Sequence, residues 1–261
     1  MREPELYVHF RPDEKAFVDR AWDWIERVAL RRETRRSDFL DPRQAFILSS
    51  LARRHGGVAL RLDGGYPEAE RRRAIAVPDF LDPEDEPAGI AVLAVTSSDR
   101  RIAELEHGDY LGALLGLGVK REKIGDLHVR PDGCHILAAE EIADFLASHL
   151  IQVHRVRVSA DIVPLSELRV VPAVLEESVL SAASMRLDAV AGDAFRLSRA
   201  KIAELIRAGR CRVNWKTEDD PSASLGEGDV ISLKGYGRIK IVAVEGTSRS
   251  GRILVRIGKF V

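Results

Sequence analysis

Cysteine is nearly absent from this chain: Cys134 and Cys211 are the two thiols in 261 residues. Outside any CxxC spacing they cannot build a four-thiolate zinc site, and they read as reduced thiols in a reducing compartment. Long apolar runs are lacking too. The longest, Leu111 to Val119, is broken by three glycines and falls far short of the roughly 20 residues of a membrane helix. The opening Met1-Arg2-Glu3-Pro4-Glu5 has no apolar stretch of the signal-peptide kind. The expectation is a cytoplasmic protein with no membrane contact.

Cofactor signatures are also missing. Neither Gly56-Gly57 nor Gly64-Gly65 forms a GxGxxG after a first strand, and no Gly-Lys-Ser/Thr phosphate loop occurs. The histidines form no HExxH or comparable pair. His107, His128, His135, His149 and His154 stand singly and read as surface or strand residues with no metal to hold. No cofactor is expected. A catalytic Ser or Cys with a base would leave no mark that separates it from any other Ser or Cys.

Charge is what the chain does have, at 31% of residues, with 40 Lys+Arg against 41 Asp+Glu. Together with 45% hydrophobic residues this fits a globular protein and excludes a wholly disordered one. The length allows two or three domains. The near-zero total conceals opposite segments. Residues 1–80 carry 16 basic and 14 acidic side chains (+2), residues 81–180 carry 9 and 18 (−9), and residues 181–261 carry 15 and 9 (+6). The acidic, proline-bearing Leu81–Pro87 reads as one connector and the proline-marked Val163–Pro172 as another. These breaks suggest domains at 1–80, 81–165 and 180–261.

In the first segment, Ala16, Phe17, Ala21, Trp24, Ile25 and Val28 recur at helical spacing over Asp13–Leu30. A second helix is expected over Pro42–Arg54, with Asp41 as N-cap and Pro42 at its first position. Val58–Leu62 and Arg73–Val77 read as strands. In the middle segment Ile90–Thr96 is a buried strand, Asp109–Leu117 a short helix, and Ile124–Val129 and Cys134–Leu137 strands across the Pro131-Asp132-Gly133 turn. Glu140–Leu150 reads as helix and Gln152–Val158 as strand, giving β-α-β-β-α-β, the ferredoxin-like split shared with RNA-recognition modules. Those modules stack bases on aromatic residues of their central strands. Here the two strands read Ile-Ala-Val-Leu-Ala-Val and Cys-His-Ile-Leu, without an aromatic and within the −9 segment. Base stacking on this sheet is not expected; a scaffold or protein-contact role is.

The basic third has a sharper pattern. Ser198 stands where an N-cap belongs, Ile202, Leu205 and Ile206 form a buried stripe, and Gly209 can end the helix in the left-handed region. On a helical wheel Arg199, Ala203, Arg207 and Arg210 flank one edge of that stripe. Arg186, Arg196, Arg212 and Lys216 lie near the helix ends in sequence, and Lys234 and Arg238 bracket Gly235-Tyr236-Gly237. Strands are expected at Cys211–Asn214, Val230–Leu233, Ile239–Val244 and Ile253–Ile257. A cationic rim of this kind suits several phosphates, guanidinium groups pairing with them bidentately; the alternative is a solvated basic face.

Arg186-Leu187-Asp188, Ser198-Arg199-Ala200-Lys201, Ile206, Gly209, Val213-Asn214 and Gly228-Asp229, in this order and spacing, resemble the S4 RNA-binding domain. With Ser232–Arg238, Asp109–Leu115 and Lys120–Asp126, the chain resembles the YlmH family of three-part bacterial proteins that carry a C-terminal S4 domain. The resemblance spans most of the chain, the first 80 residues being the least diagnostic. The fold expected is α+β: a helical and β N-terminal domain, a ferredoxin-like middle domain and an S4 domain. The resemblance implies a non-enzymatic protein that binds ribosomal RNA of the large subunit and tRNA, in ribosome-associated quality control of stalled peptidyl-tRNA with alanine tailing. It implies RNA-facing roles for Arg186, Ser198, Arg199, Lys201, Arg207 and Arg210, Lys201 on the family pattern alone because it falls off the arginine rim. Asp188 is expected to be structural, holding basic side chains or a helix end.

Three further readings stay open at this point. Pseudouridine synthases carry an Arg-Leu-Asp motif with a nucleophilic Asp, which Arg186-Leu187-Asp188 mimics, but only 73 residues follow Asp188 and the S4 domain occupies them. The acidic middle domain could serve as an adaptor for ribosomal or quality-control proteins. Arg27, Arg31, Arg32, Arg35 and Arg36, read as helically spaced, are either a second RNA contact or a solvated face.

Overall fold

The computed structural model describes residue 7, residues 10–248 and residues 251–260. The chain forms two compact units, Met1–Val171 and Pro172–Val261. No helix among the described residues is long and apolar enough to cross a membrane.

The first unit begins with α1 (Lys15–Arg31), β1 (Arg35–Leu40), α2 (Pro42–His55), β2 (Val58–Asp63) and β3 (Arg72–Pro78). The strands form an antiparallel sheet in the order β1-β3-β2. Val18, Ala21, Ile25 and Val28 of α1 pack with Leu48, Leu51 and Ala52 of α2 over Ala74 and Ala76 of β3, so the periodic stripe of α1 is the core face. α2 begins as its residues dictate. Asp41 accepts from the Gln44 N–H at 2.8 Å while the Gln44 side chain accepts from Asp41 N–H at 3.0 Å, closing both ends of a capping box ahead of Pro42. β1 carries no apolar alternation that would announce it. It exists because β3 offers it a partner, through a register irregularity between Arg36 and Phe39.

The same unit continues with β4 (Ile90–Thr96), α3 (His107–Gly116), β5 (Ile124–Arg130), β6 (Gly133–Ala139), α4 (Ala143–His149), the small hairpin β7 (Gln152–Val153) and β8 (Val156–Arg157), and β9 (Ser159–Val163). The four-stranded sheet runs β5-β6-β4-β9, all pairs antiparallel, which is the ferredoxin-like order. Its closing strand corrects the expectation at Gln152–Val158. That stretch turns back on itself at His154, whose φ is 51°, so Val153 and Val156 pair with each other and both enter the core. Ser159–Val163 takes the sheet edge instead. Arg73, almost fully buried, ties the two halves of this unit together. It donates to the Ser37 carbonyl at 2.7 Å and to the Gly89 carbonyl, and forks onto Glu141 at 3.1 and 3.2 Å.

The second unit contains β10 (Leu175–Ala182), α5 (Leu187–Phe195), α6 (Arg199–Arg207), β11 (Cys211–Val213), β12 (Lys216–Glu218), β13 (Val230–Leu233), β14 (Gly237–Thr247) and β15 (Ile253–Phe260). Its antiparallel sheet runs β10-β15-β14-β13-β11-β12. Leu187, Val190 and Ala191 of α5 and Ile202, Leu205 and Ile206 of α6 pack on one sheet face, against Cys211, Ile231, Leu233, Ile239, Ile241, Val255 and Ile257. β10 and α5 lie outside the sequence reading. α5 is buried over Leu187–Gly192, so it has no polar face to give it a period.

Candidate nucleic-acid interface

Ser198 is the N-cap of α6, its hydroxyl accepting from the Lys201 N–H at 3.3 Å. With Ile202, Leu205 and Ile206 turned inward, Arg199 and Arg207 are left exposed, two turns apart on one edge. At the N-terminus of α5, the Asp188 carboxylate is bridged by Arg186 in a two-toothed pair, Nε to Oδ1 at 3.1 Å and Nη2 to Oδ2 at 3.0 Å. Arg199 lies 3.8 Å from the same carboxylate. One acid whose side chain is only 12% exposed therefore holds two arginines whose side chains are 46% and 61% exposed. The Arg186 hydrogen bond, and after it the charges of Arg186 and Arg199, keep Asp188 below the usual carboxylate range. Asp220 is lowered first by its bonds from Ser222 and also by the charges of Arg186 and Arg207. Arg186 and Arg199 thus meet at one ionised carboxylate, and Arg207 is near enough to Asp220 for its charge to be felt there.

Other expected residues lie elsewhere. Lys201 is off this edge and paired with Glu204 at 3.1 Å. Arg210 lies beyond the helix, which ends at Arg207 with Gly209 in the left-handed region at φ 66°, so the wheel does not place it. Its Nη2 reaches the Lys234 carbonyl at 3.3 Å and its own carbonyl accepts from Lys234 N–H at 3.0 Å, putting Arg210 and Lys234 together beside the β13–β14 turn. Arg212 and Arg238 fall on another face. Cys211, Ile231, Leu233 and Ile239 point to the helices, and Arg212, Ser232 and Arg238 pair in register between them, so their side chains emerge on the opposite side of the sheet. There Arg238 lies over the Phe260 ring, 4.5 Å from its centroid. Lys240 shares this parity; the alternation Arg238-Ile239-Lys240-Ile241 was the signal for it. Lys216 pairs with Val213 on the helix side, at the edge strand. The expected basic residues of the second unit therefore fall into an arginine group at Asp188, the Arg210–Lys234 pair, Lys216 on the helix side and a separate row across the sheet, joined by no single rim.

The N-terminal arginines do not form a helical face. Arg27 and Arg31 are exposed on α1, Arg32 ends that helix in the left-handed region at φ 54°, and Arg35 and Arg36 are consecutive on β1, so they point to opposite faces. Arg35 lies 3.7 Å from Glu33 and Arg36 3.9 Å from Glu140. The left-handed cap at Arg32 breaks the spacing that the sequence implied.

On the middle sheet, the face opposite the helices is covered. Phe39 packs on Val92, Leu137 and Ala139, and Tyr66 donates to Asp126 at 2.8 Å while its ring sits 5.0 Å from that of His128. His128 and His135, read as single residues, are in fact a cross-strand pair. Their Nδ1 atoms accept from the N–H groups of Val171 and Arg169, each at 3.1 Å, which requires both rings unprotonated at that nitrogen. Burial lowers the pKa of both. The segment leading to Val171 thus lies across the sheet. Among the described residues no group of three or more His, Cys, Asp or Glu is placed to hold a metal ion. Cys134 and Cys211 are free, buried thiols, each pushed up to about 12 by burial.

Comparison with known proteins matches this architecture. Family models match residues 13–85 ("YlmH, N-terminal"), 83–167 ("Putative RNA-binding domain in YlmH") and 185–231 ("S4 domain"). The chain is 36% identical over 248 residues to the ribosome-associated protein quality control protein P2 of Bacillus subtilis, covering 95% of this chain and 96% of that one. A solved structure, the cell division protein ylmH from Streptococcus pneumoniae, superposes with a TM-score of 0.54 at 24% identity, over 62% of this chain and 97% of that one, and shares its fold. Identity spread over almost the whole length of the Bacillus protein, with an S4 domain closing the chain, places this protein in the YlmH family.

Proposed function

We propose that this protein binds structured RNA of the large ribosomal subunit through its second unit, as a non-enzymatic factor in ribosome-associated quality control. The observation that carries the reading is the meeting of Arg186 and Arg199 at Asp188, with Arg207 exposed on the same edge of α6 as Arg199. Guanidinium groups held part-exposed by buried or hydrogen-bonded carboxylates are pre-oriented, so phosphate binding orders less side chain than it would on free arginines. The name of the Bacillus relative supports the ribosomal setting, and tRNA contact and alanine tailing of the obstructed chain are the finer parts of the same proposal.

Charge reversal at Arg199→Glu with Arg207→Glu should abolish co-sedimentation with large ribosomal subunits while leaving the circular dichroism unchanged. Unchanged sedimentation of the folded double variant would refute the assignment.

The pseudouridine-synthase-like reading is disfavoured by the environment of Asp188. Its carboxylate is occupied by Arg186 and neighboured by Arg199, which suits an orienting acid better than a nucleophile awaiting a base. Loss of an RNA modification on Asp188→Asn would restore the enzyme reading. The adaptor reading for the acidic middle domain is tested by salt: binding to subunits that is insensitive to salt would favour protein contacts over phosphate contacts.

A further inference from the structure

β11 and β12 are joined by only two residues, Asn214 and Trp215, with Val213 paired to Lys216 across them. Both joining residues are in the left-handed region, at φ 51° and 64°. A two-residue turn of this hand needs positive φ at both positions, which Asn tolerates and Gly adopts freely. For a bulky side chain it is an outlier, because Cβ crowds the neighbouring carbonyl.

The turn is prevented from relaxing. Asn214 donates from Nδ2 to Asp229 at 2.8 Å, accepts at Oδ1 from Val230 N–H at 2.9 Å, and donates its own N–H to the Val230 carbonyl at 2.8 Å. Three bonds from one residue lock the hairpin tip to the start of β13. Nor is the strain explained by packing into the core. Trp215 is half-buried yet outside the residues that form or line the core of this unit, whereas Trp22 and Trp24 both line the core of the first. Lys216 follows it directly in the chain, on the helix side of the sheet, while Arg212 points to the other face.

Strain of this kind persists where the surroundings over-determine it, and it concentrates at binding sites. A flat ring held on a rigid turn and partly open to solvent, with a cationic residue next to it in the chain, is a surface on which an unpaired base stacks while a neighbouring phosphate is neutralised. We propose that Trp215 is a base-stacking residue, taking an unpaired base of the bound RNA beside a phosphate held by Lys216. This rests on the RNA-binding reading above and adds a specific contact to it.

The test uses full-length Trp215→Gly and Trp215→Phe beside the wild type, measuring thermal melting, affinity for purified large ribosomal subunits, and the slope of that affinity with salt. Trp215→Gly should melt higher than wild type, since the left-handed strain is relieved, yet bind subunits roughly tenfold more weakly. Its salt slope should be unchanged, because stacking neutralises no phosphate. Trp215→Phe, which keeps a ring, should bind within about threefold of wild type. The proposal is overturned if Trp215→Gly binds as tightly as wild type, if it melts lower, if its salt slope falls, or if Trp215→Phe loses as much as Trp215→Gly. Wild type that fails to bind subunits at all overturns the RNA-binding reading itself, and the stacking role with it, before any variant is compared.

Discussion

At the scale of single residues, Asp188 organises the cationic group of the second unit. Its carboxylate takes two hydrogen bonds from Arg186 and faces Arg199, and its N–H donates to the Pro221 carbonyl at 2.9 Å. Replacing it by Asn should cost about 1 kcal/mol, one charge-assisted pair of a partly exposed arginine being lost. The pH dependence has a definite sign. Asp188 is lowered in the folded state, so its contribution is full above the unfolded carboxylate value of roughly 3.9 and disappears as pH falls through the lowered one. Urea midpoints measured from pH 6 downward should therefore fall less steeply below about pH 4 in Asp188→Asn than in wild type. The Arg-Leu-Asp motif, and an Asp188 that holds basic side chains, were legible in the sequence; which arginines it holds was not, because only the bend into α5 turns Arg186 and Asp188 to one side.

At the scale of elements, α6 was the most legible part of the second unit because every signal agreed: an N-cap, a three-residue stripe and a terminating glycine. The cap makes a checkable contribution. Ser198→Ala should destabilise the second unit by about 1 kcal/mol, read as a lower denaturation midpoint, and should weaken subunit binding modestly since Arg199 is the first residue of the helix. α5 and β10 were illegible for opposite reasons. α5 is enclosed on nearly all sides, so it has no amphipathic period, while β10 reads Leu-Glu-Glu-Ser-Val-Leu-Ser-Ala and pairs with β15 at the sheet edge. β1 and the closing strand β9 share that property: each is decided by the neighbour it pairs with and not by its own alternation.

At the scale of the molecule, the charge partition is the property a partner meets. The near-neutral total divides into +2, −9 and +6, and the arginine group at Asp188 lies in the basic segment. Three arginines engaging phosphates should make the logarithm of subunit affinity fall by roughly 2–3 per decade of salt, and the single change Arg207→Ala should flatten that slope by about one unit. Equilibrium sedimentation over a salt series measures both. The acidic segment also contains the sheet that RNA-recognition modules would use, and its open face is closed by Phe39, Tyr66 and the backbone of residues 169–171. The lack of aromatic residues on its central strands had already argued against stacking there; the covering segment supplies a second, independent reason.

Fold class, family resemblance and the ferredoxin-like order of the middle segment up to its closing strand were legible along the chain. Those depend on local periodicity, on caps and turns, and on motif spacing, all of which are written along the chain. Tertiary structure alone decided which cations act together. Arg186 and Arg199 meet at Asp188 while Arg212 and Arg238 face away across the sheet, Arg210 is drawn to Lys234, and Trp215 is held in a turn suited to glycine. Proximity between residues separated in sequence is set by strand register and helix packing, and no single stretch of chain encodes either.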